Sequence, residues 1–175
     1  MENSKWEIDP AHSVIQFHYK HLMIASLSGR FDEISGTVEA GDNFENAKFT
    51  FSANINSINT NDEKRDAHLK SADFFDAEKF PTLSFTSTKF TKIGDQEFSL
   101  EGNLTIKDIT QPITLSVKYG GTSKDPWGNI KAGFELKGKI NRRDYGLTWN
   151  VQIEAGGTLV SEDIIIEANI ELIKK

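Results

Sequence analysis

The sequence is dominated by segments in which apolar and polar side chains alternate. In residues 14–21, for example, Ile15 and Phe17 fall on one face and Gln16 falls on the other. A period of two is typical of a β-strand with one buried face. The pattern recurs in about eight segments, at residues 14–21, 29–40, 47–58, 82–92, 97–107, 113–119, 130–140 and 164–172. Turn signals separate most of them, which predicts an all-β fold of antiparallel strands.

The last segment indicates how the sheet ends. It is long and apolar on one face, where it carries Ile164, Ile166, Ala168, Ile170 and Leu172. An exposed edge of this kind would pair with other molecules, so closure against the first strand is favoured. We therefore predict a closed barrel of about eight antiparallel strands rather than an open sandwich. The length of 175 residues predicts a single domain over residues 1–175.

The predicted inner face is apolar but includes several small residues, namely Ala53, Gly102, Ala132, Gly138 and Ala168. In a barrel of this size large side chains fill the interior, whereas small ones leave room for one ligand. Glycines also ease bends and bulges in strongly curved strands. Both interpretations remain open from the sequence. A cavity lined in this way would accept a long hydrocarbon and offer little to a polar solute.

One segment between the predicted strands has helical character. Residues 60–63 resemble a capping box, and Pro81 prevents the helix from continuing. We predict an inserted helical segment at about residues 61–79. Its helical part is almost entirely polar, so the anchors are expected just afterwards, at Phe74, Phe75 and Phe80. A polar helix held by phenylalanines suggests a lid or plug on the barrel.

Composition excludes several classes of function. The chain has 20 basic and 26 acidic residues and no cysteine. A net charge of -6 without a basic cluster argues against a nucleic-acid partner, and the lack of cysteine excludes disulfides and thiolate chemistry. Residues 1–10 have no apolar run, which predicts no transmembrane segment and a cytoplasmic protein as written, or a periplasmic one if a leader has been removed. No catalytic motif occurs, so we expect neither an enzyme nor a cofactor.

Several polar residues have two interpretations. A metal site of His12, His21 and His68 is the weaker hypothesis, and a polar residue near the barrel mouth is the preferred one for His21. Arg65, Asp66 and His68 could form a rim around a ligand head or belong to a solvated helix face. In the segment 142–147, the two arginines could clamp a phosphate or carboxylate, or brace the end of the barrel.

Taken together, the motifs resemble the YceI-like family. They are Trp6-x-Ile8-Asp9-Pro10-x-His12-Ser13, Ser57-Ile58-Asn59-Thr60, Arg65-Asp66-x-His68-Leu69, Asp73-Phe74-Phe75-Asp76, Phe80-Pro81, Gly102-Asn103-Leu104-Thr105-Ile106-Lys107 and Asn141-Arg142-Arg143-Asp144-Tyr145-Gly146. The resemblance covers nearly the whole chain in order, and Asp108 departs from the usual glycine. It implies an eight-stranded antiparallel lipocalin-like barrel whose apolar cavity binds polyisoprenoids, isoprenoid quinones or similar lipids. It is compatible with a homodimer.

Our hypothesis is a non-catalytic carrier or sequestering protein for a long-chain isoprenoid or related lipid. The lipid tail is predicted to contact the inward side chains Phe17, Tyr19, Phe51, Leu104, Leu115, Phe134, Leu136, Ile166 and Ile170. Its head is predicted to lie near His21, Arg65 and a lid of Phe74 and Phe75. The alternatives are a stress-related structural or interaction module whose barrel is filled by its own side chains, and a histidine-dependent enzyme acting on a lipid.

Overall fold

The computed structural model describes residues 2–154 and 156–175. Within them the chain forms one α-helix and eleven strands. The strands are β1 (Ser4–Ile8), β2 (Val14–His21), β3 (Ala25–Phe31), β4 (Ile34–Ala40), β5 (Lys48–Asn54), β6 (Ile58–Asn59), β7 (Thr82–Gly94), β8 (Glu97–Ile106), β9 (Ile109–Lys124), β10 (Ile130–Asn141) and β11 (Asp163–Lys174), and the helix is α1 (Glu63–Lys70). No helix in this part of the chain is long and apolar enough to cross a membrane.

The strands form a closed antiparallel barrel, as predicted. Over the described residues the ring runs β1-β4-β5-β7-β8-β9-β10-β11 and is closed by pairing of β1 with β11. A second run of paired strands, β11-β2-β3-β6, lies alongside the run β11-β1-β4-β5. In the ring β2 continues β1, β3 continues β4 and β6 continues β5. Eight strand positions therefore surround the interior, and the last strand pairs with the first, so the apolar edge is covered.

Two of the predicted strands are divided in the structure, and one further strand was not predicted. Pro10 starts a 3-10 turn that separates β1 from β2, and the residues of β1 were not predicted as a strand. The predicted strands 29–40 and 47–58 are each interrupted, the second by a turn at Ile55–Ser57 capped by Asn54. Residues 22–24, between β2 and β3, form an exposed tip in which Ile24 is 82% exposed.

The helical segment is shorter than the predicted range 61–79. Asp62, rather than Thr60, caps α1, because its carboxylate accepts the backbone N–H groups of Lys64 and Arg65, each at 3.0 Å. The helix ends at Lys70, where the Ser71 hydroxyl donates to the carbonyl of His68 at 2.6 Å. Residues 71–80 are tight turns closed by backbone bonds, so the phenylalanine lid is carried by turns rather than by a helix.

The space beside two of the small inner residues, Gly102 and Gly138, is filled by neighbouring side chains. A Cβ added at Gly102 would lie 2.4 Å from the ring of Phe85, and one added at Gly138 would lie 2.4 Å from a methyl group of Leu115. These glycines therefore make room for side chains of adjacent strands and do not open space for a ligand. Among the five small residues, Ala168 lines the cavity described below.

An aromatic cluster closes the end of the barrel at which β1 begins. Phe44 lies 5.0 Å from Trp6 and 4.9 Å from Phe134, measured between ring centroids. Phe90 stacks on Phe98 at 4.5 Å in the same region, linked to the cluster by Phe49. Trp6, Phe44 and Phe134 are each at most 6% exposed. This end is consequently filled by protein side chains.

Candidate ligand-binding site

The barrel encloses a cavity of about 510 Å³ between the aromatic cluster and helix α1. Its wall is built from inward side chains of the strands, including Ile8, Phe31 and Leu100. Leu69 and the turns after α1 cover it from the other side. The volume falls within the range of about 300–1,000 Å³ that is usual for small-molecule sites. A mostly aliphatic and aromatic wall favours a hydrocarbon over a polar ligand.

All the side chains predicted from the sequence to contact a ligand line this cavity. They are Phe17, Tyr19, His21, Phe51, Arg65, Phe74, Phe75, Leu104, Leu115, Phe134, Leu136, Ile166 and Ile170. The period-two alternation places those that belong to strands on the inner face, while Arg65, Phe74 and Phe75 reach the cavity from α1 and the turns after it. Closure of the barrel brings the strands together around one space. Contact of these residues with a ligand stays a prediction.

Arg142 organises the end of the cavity opposite the aromatic cluster. It follows β10 directly and is only 3% exposed. Its guanidinium donates to the backbone carbonyls of Leu147 at 2.6 Å, Trp149 at 2.9 Å, Ser161 at 2.9 Å and Val160 at 3.3 Å. Burial lowers the pKa of Arg142 from its ordinary value. The buried arginine thus fastens the loop between β10 and β11 to the barrel mouth.

Helix α1 faces the same mouth. The Arg65 guanidinium donates to the hydroxyl of Thr60 at 2.8 Å and to its carbonyl at 2.6 Å. The hydroxyl of Thr60 in turn donates to Asp66, which therefore bonds to the segment before the helix. Burial raises the pKa of the nearby Tyr19. These contacts hold the helix across the opening although none of its residues is fully buried.

An aromatic contact joins the helix to the loop that Arg142 holds. The His68 ring lies 4.6 Å from the ring of Trp149 in an edge-to-face arrangement, and 5.1 Å from Phe74. Its Nε2 atom is 2.8 Å from a carboxylate oxygen of Asp73. His68 and Trp149 both line the cavity. Helix α1 and this loop consequently meet over the mouth and form its cover.

The loop was the part of the site that sequence reasoning missed. Leu147, Trp149, Leu159 and Val160 line the cavity, yet residues 147–154 and 156–160 have no strand or helix periodicity. Their position depends on carbonyl groups that accept from Arg142, which a residue pattern does not reveal. The available signals were Trp149, which lies outside any predicted strand, and the arginine pair six to seven residues before it.

The histidines do not form a common site. His21 and His68 line the cavity, whereas His12 lies at the turn between β1 and β2. Within the described residues, one group offers three closely spaced ligand atoms for a metal, and it consists of Asp9, His12 and Glu171. The Lys131 ammonium already lies 2.6 Å from Asp9 and 3.0 Å from Glu171. This arrangement is a satisfied ion-pair network that ties the turn to β10 and β11.

The charged side chains that line the cavity all carry the same sign. They are Lys64, Arg65 and Arg142, accompanied by His21 and His68. Arg143, the neighbour of Arg142, points to a different partner and pairs with Glu162 at 3.1 Å. Arg143 therefore braces the barrel end through Glu162, whereas Arg142 holds the loop and also borders the cavity.

Comparisons with known proteins agree with this geometry. The family model described as YceI-like domain matches residues 6–172. A UPF0312 protein of Staphylococcus aureus strain N315 is 38% identical over 170 residues, covering 96% of both chains. A crystal structure of the Campylobacter jejuni YCEI protein is 34% identical, with a TM-score of 0.76 over 89% of this chain and 90% of that one. A polyisoprenoid binding domain from Saccharophagus degradans, implicated in plant cell wall breakdown, shares the fold at 14% identity, with a TM-score of 0.66 over 97% of this chain and 98% of that chain.

Proposed function

Because this chain belongs to the YceI-like family, we propose that it binds a long-chain isoprenoid lipid in its barrel and carries or sequesters it without chemical change. The observation on which the proposal rests is the cavity of about 510 Å³ lined by the inward faces of the strands. The fold shared with a polyisoprenoid binding domain supports an isoprenoid chain as the ligand class. Burial of such a chain contributes roughly 25 cal/mol per Å² of apolar area, less the cost of ordering it.

The wall of the cavity supports binding rather than catalysis. Among the described residues, the ring nitrogens of His21 accept or donate no side-chain hydrogen bond, and those of His68 bond to Asp73 alone. A hydroxyl nucleophile activated by histidine would require such a bond. A carrier needs no reacting group, so an apolar wall with few polar side chains at one end is sufficient.

The first test is to identify what the purified protein retains. Native mass spectrometry and solvent extraction should recover a long-chain lipid in stoichiometric amount. Added geranylgeraniol should also alter the fluorescence of Trp149, which lines the cavity, and Trp149→Phe should abolish that response. The exposed Trp127 serves as an internal reference, since it is 83% exposed and lies away from the cavity. Recovery of no lipid together with no uptake would refute the proposal.

A matched pair of substitutions tests the location of the ligand. Ile166 lines the cavity, whereas the adjacent Ile165 lies on the other face of β11, opposite His18. Ile166→Trp places an indole in the cavity and should lower geranylgeraniol affinity by at least about tenfold. Ile165→Trp makes the same change on the outer face and should leave affinity unchanged. Equal affinities of the two variants would place the lipid elsewhere.

A further inference from the structure

The charge of the cavity wall contrasts with the charge of the protein. The chain carries 26 acidic and 20 basic residues, for a net charge of -6. Nevertheless, of the residues that the structure describes, no aspartate or glutamate lines the cavity, while Lys64, Arg65 and Arg142 do. A wall selected only for a neutral hydrocarbon has no need of three cations, because charged groups next to apolar surface lose hydration.

The basic groups are gathered at one end. Lys64 and Arg65 precede His68 in α1 by four and three residues, which places each of them next to His68 on the helix surface. The His68 ring contacts Trp149, whose carbonyl accepts a hydrogen bond from Arg142 at 2.9 Å. A continuous set of contacts therefore joins α1 to Arg142 at the covered mouth, opposite the aromatic cluster.

Arg142 is a buried cation without a carboxylate partner. Its four hydrogen bonds all go to backbone carbonyls, and across residues 2–154 and 156–175 it forms no ion pair. Glu162 is near enough to favour its charged form but is itself paired with Arg143. A guanidinium carries five N–H groups, so one remains for a ligand. A buried charge that lacks a counter-ion is costly, and an incoming anion would offset that cost.

In the described chain the helix cations Lys64 and Arg65 likewise form no direct ion pair. The backbone N–H of Arg65 and the charges of both cations nevertheless favour the charged form of the nearby Asp62 and lower its pKa. The carboxylate of Asp62 accepts backbone N–H groups at the start of α1, and that of Asp66 accepts from Thr60. Lys64 is exposed and Arg65 is half-buried beside Thr60, so the positive charge of α1 lies at the rim of the cavity.

We propose that the bound lipid has an anionic head, a phosphate or a carboxylate, which lies at the mouth between Arg65 and Arg142 with its tail directed to the aromatic cluster. This inference rests on the proposed lipid-binding function and adds the chemistry of the head. Charge-assisted hydrogen bonds from a guanidinium are about twice as strong as neutral ones. An anionic lipid should consequently bind at least about tenfold more tightly than the alcohol with the same tail.

The test compares lipids that differ only in the head. Affinities are measured by Trp149 fluorescence and calorimetry for geranylgeranyl monophosphate against geranylgeraniol, and for palmitate against hexadecanol. Tighter binding of both anions than of their alcohols supports the proposal. Tighter binding of the anion in one pair alone also supports it and identifies the head as phosphate or carboxylate. Inorganic phosphate, added as competitor, should displace neither tail at millimolar concentration if the tail supplies most of the affinity.

Charge-removing variants locate the head. Arg65→Gln combined with Lys64→Gln should reduce the anion preference, the ratio of anion to alcohol affinity in the same variant, by at least about tenfold. The alcohol is measured in each variant as the reference, because Arg65 also holds α1 to Thr60. The matched control is Lys70→Gln with Arg143→Gln, which removes the same charge from positions that do not line the cavity and should retain the preference. Arg142 is left intact because it holds the loop, so the variants remain folded, as checked by thermal melting.

The two proposals fail in different ways. Equal binding of each alcohol and its anion, or an anion preference that survives in the Lys64 and Arg65 double variant, overturns the assignment of the head while the lipid-binding function stands. Failure of all four lipids to bind overturns the lipid-binding function, and the inference about the head with it.

Discussion

Substitution of Gly102 by alanine tests how tightly the barrel wall is filled. The new Cβ would lie 2.4 Å and 2.6 Å from ring carbons of Phe85 and 2.6 Å from the carbonyl oxygen of Thr86. Carbon atoms in contact prefer about 3.5–4.0 Å, so the neighbours must move by about 1 Å. One of those neighbours is backbone of the paired strand β7, which cannot rotate away as a side chain can. Overpacking of this kind costs about 2 kcal/mol of folding free energy.

The assay is urea denaturation combined with thermal melting. A loss of about 2 kcal/mol in a domain of this length lowers Tm by roughly 4–8 °C. Gly133→Ala is the matched control, since no atom lies within 4 Å of a Cβ added at Gly133 in β10. That change restricts the unfolded chain and should raise stability by about 0.4–1 kcal/mol. The two glycine substitutions are therefore expected to have opposite signs.

A second substitution tests whether the ring of Phe85 causes the loss of stability in Gly102→Ala. Phe85→Leu removes the ring that occupies the space beside Gly102, so the added cost of Gly102→Ala should be smaller in that background, with a favourable coupling of about 1 kcal/mol. If Gly102→Ala were as stable as Gly133→Ala in the wild-type background, the ring of Phe85 would not occupy this position. The glycine would then open space inside the barrel, and the packing argument would be wrong.

Three further predictions concern stability. The hydrogen bond from Lys131 lowers the pKa of Asp9 to about 2 from 3.8. Ionised Asp9 therefore stabilises the fold by about 2 kcal/mol above its ordinary pKa, and this contribution is lost as the pH falls through 2. Asp9→Asn should remove this part of the pH dependence in urea titrations, and an unchanged profile would contradict the prediction. Phe44→Ala removes the centre of the aromatic cluster and should lower the free energy of unfolding by about 3–5 kcal/mol by the same method, whereas a loss below about 1 kcal/mol would show that this end is loosely packed. Burial raises the pKa of Tyr145 to about 12, and its hydroxyl has no hydrogen-bond partner among the described residues. Tyr145→Phe should therefore keep the stability of the fold or raise it by about 1 kcal/mol, as measured by thermal melting. A clear loss of stability would show that the hydroxyl has a partner.

The architecture and most of the cavity wall could be predicted from local patterns. Period-two alternation assigns each residue of a strand to one face, and the apolar edge of residues 164–172 requires a partner strand. These two conditions are sufficient to predict a closed barrel and to select inward side chains such as Phe17 and Leu104, which line the cavity. They depend only on strand geometry and on the hydrophobic effect, and both act at every position along a strand.

The bends and the helix ends could not be predicted in the same way. The helix was expected to span 61–79, yet it ends at Lys70, because the Ser71 hydroxyl bonds to the carbonyl of His68 and the following turns close on themselves. Serine and aspartate offer the backbone such local alternatives to a helix, and the outcome depends on how the segment packs on the mouth. The residue pattern does not distinguish a long helix from a short helix followed by turns.

The mouth of the cavity depends on contacts between parts of the chain that are distant in sequence. The residue pattern leaves open whether Arg142 braces the barrel or contacts a ligand. In the folded chain its guanidinium is surrounded by backbone carbonyls that include those of Leu147 and Ser161. For Gly102 the residue pattern leaves open whether it provides free space or eases strand curvature, and the ring of Phe85 on the neighbouring strand occupies that space. Alternation is a property of each strand alone, so it can be read from the sequence. The side chain that fills a given space comes from another strand or loop, so it is determined only when the barrel closes.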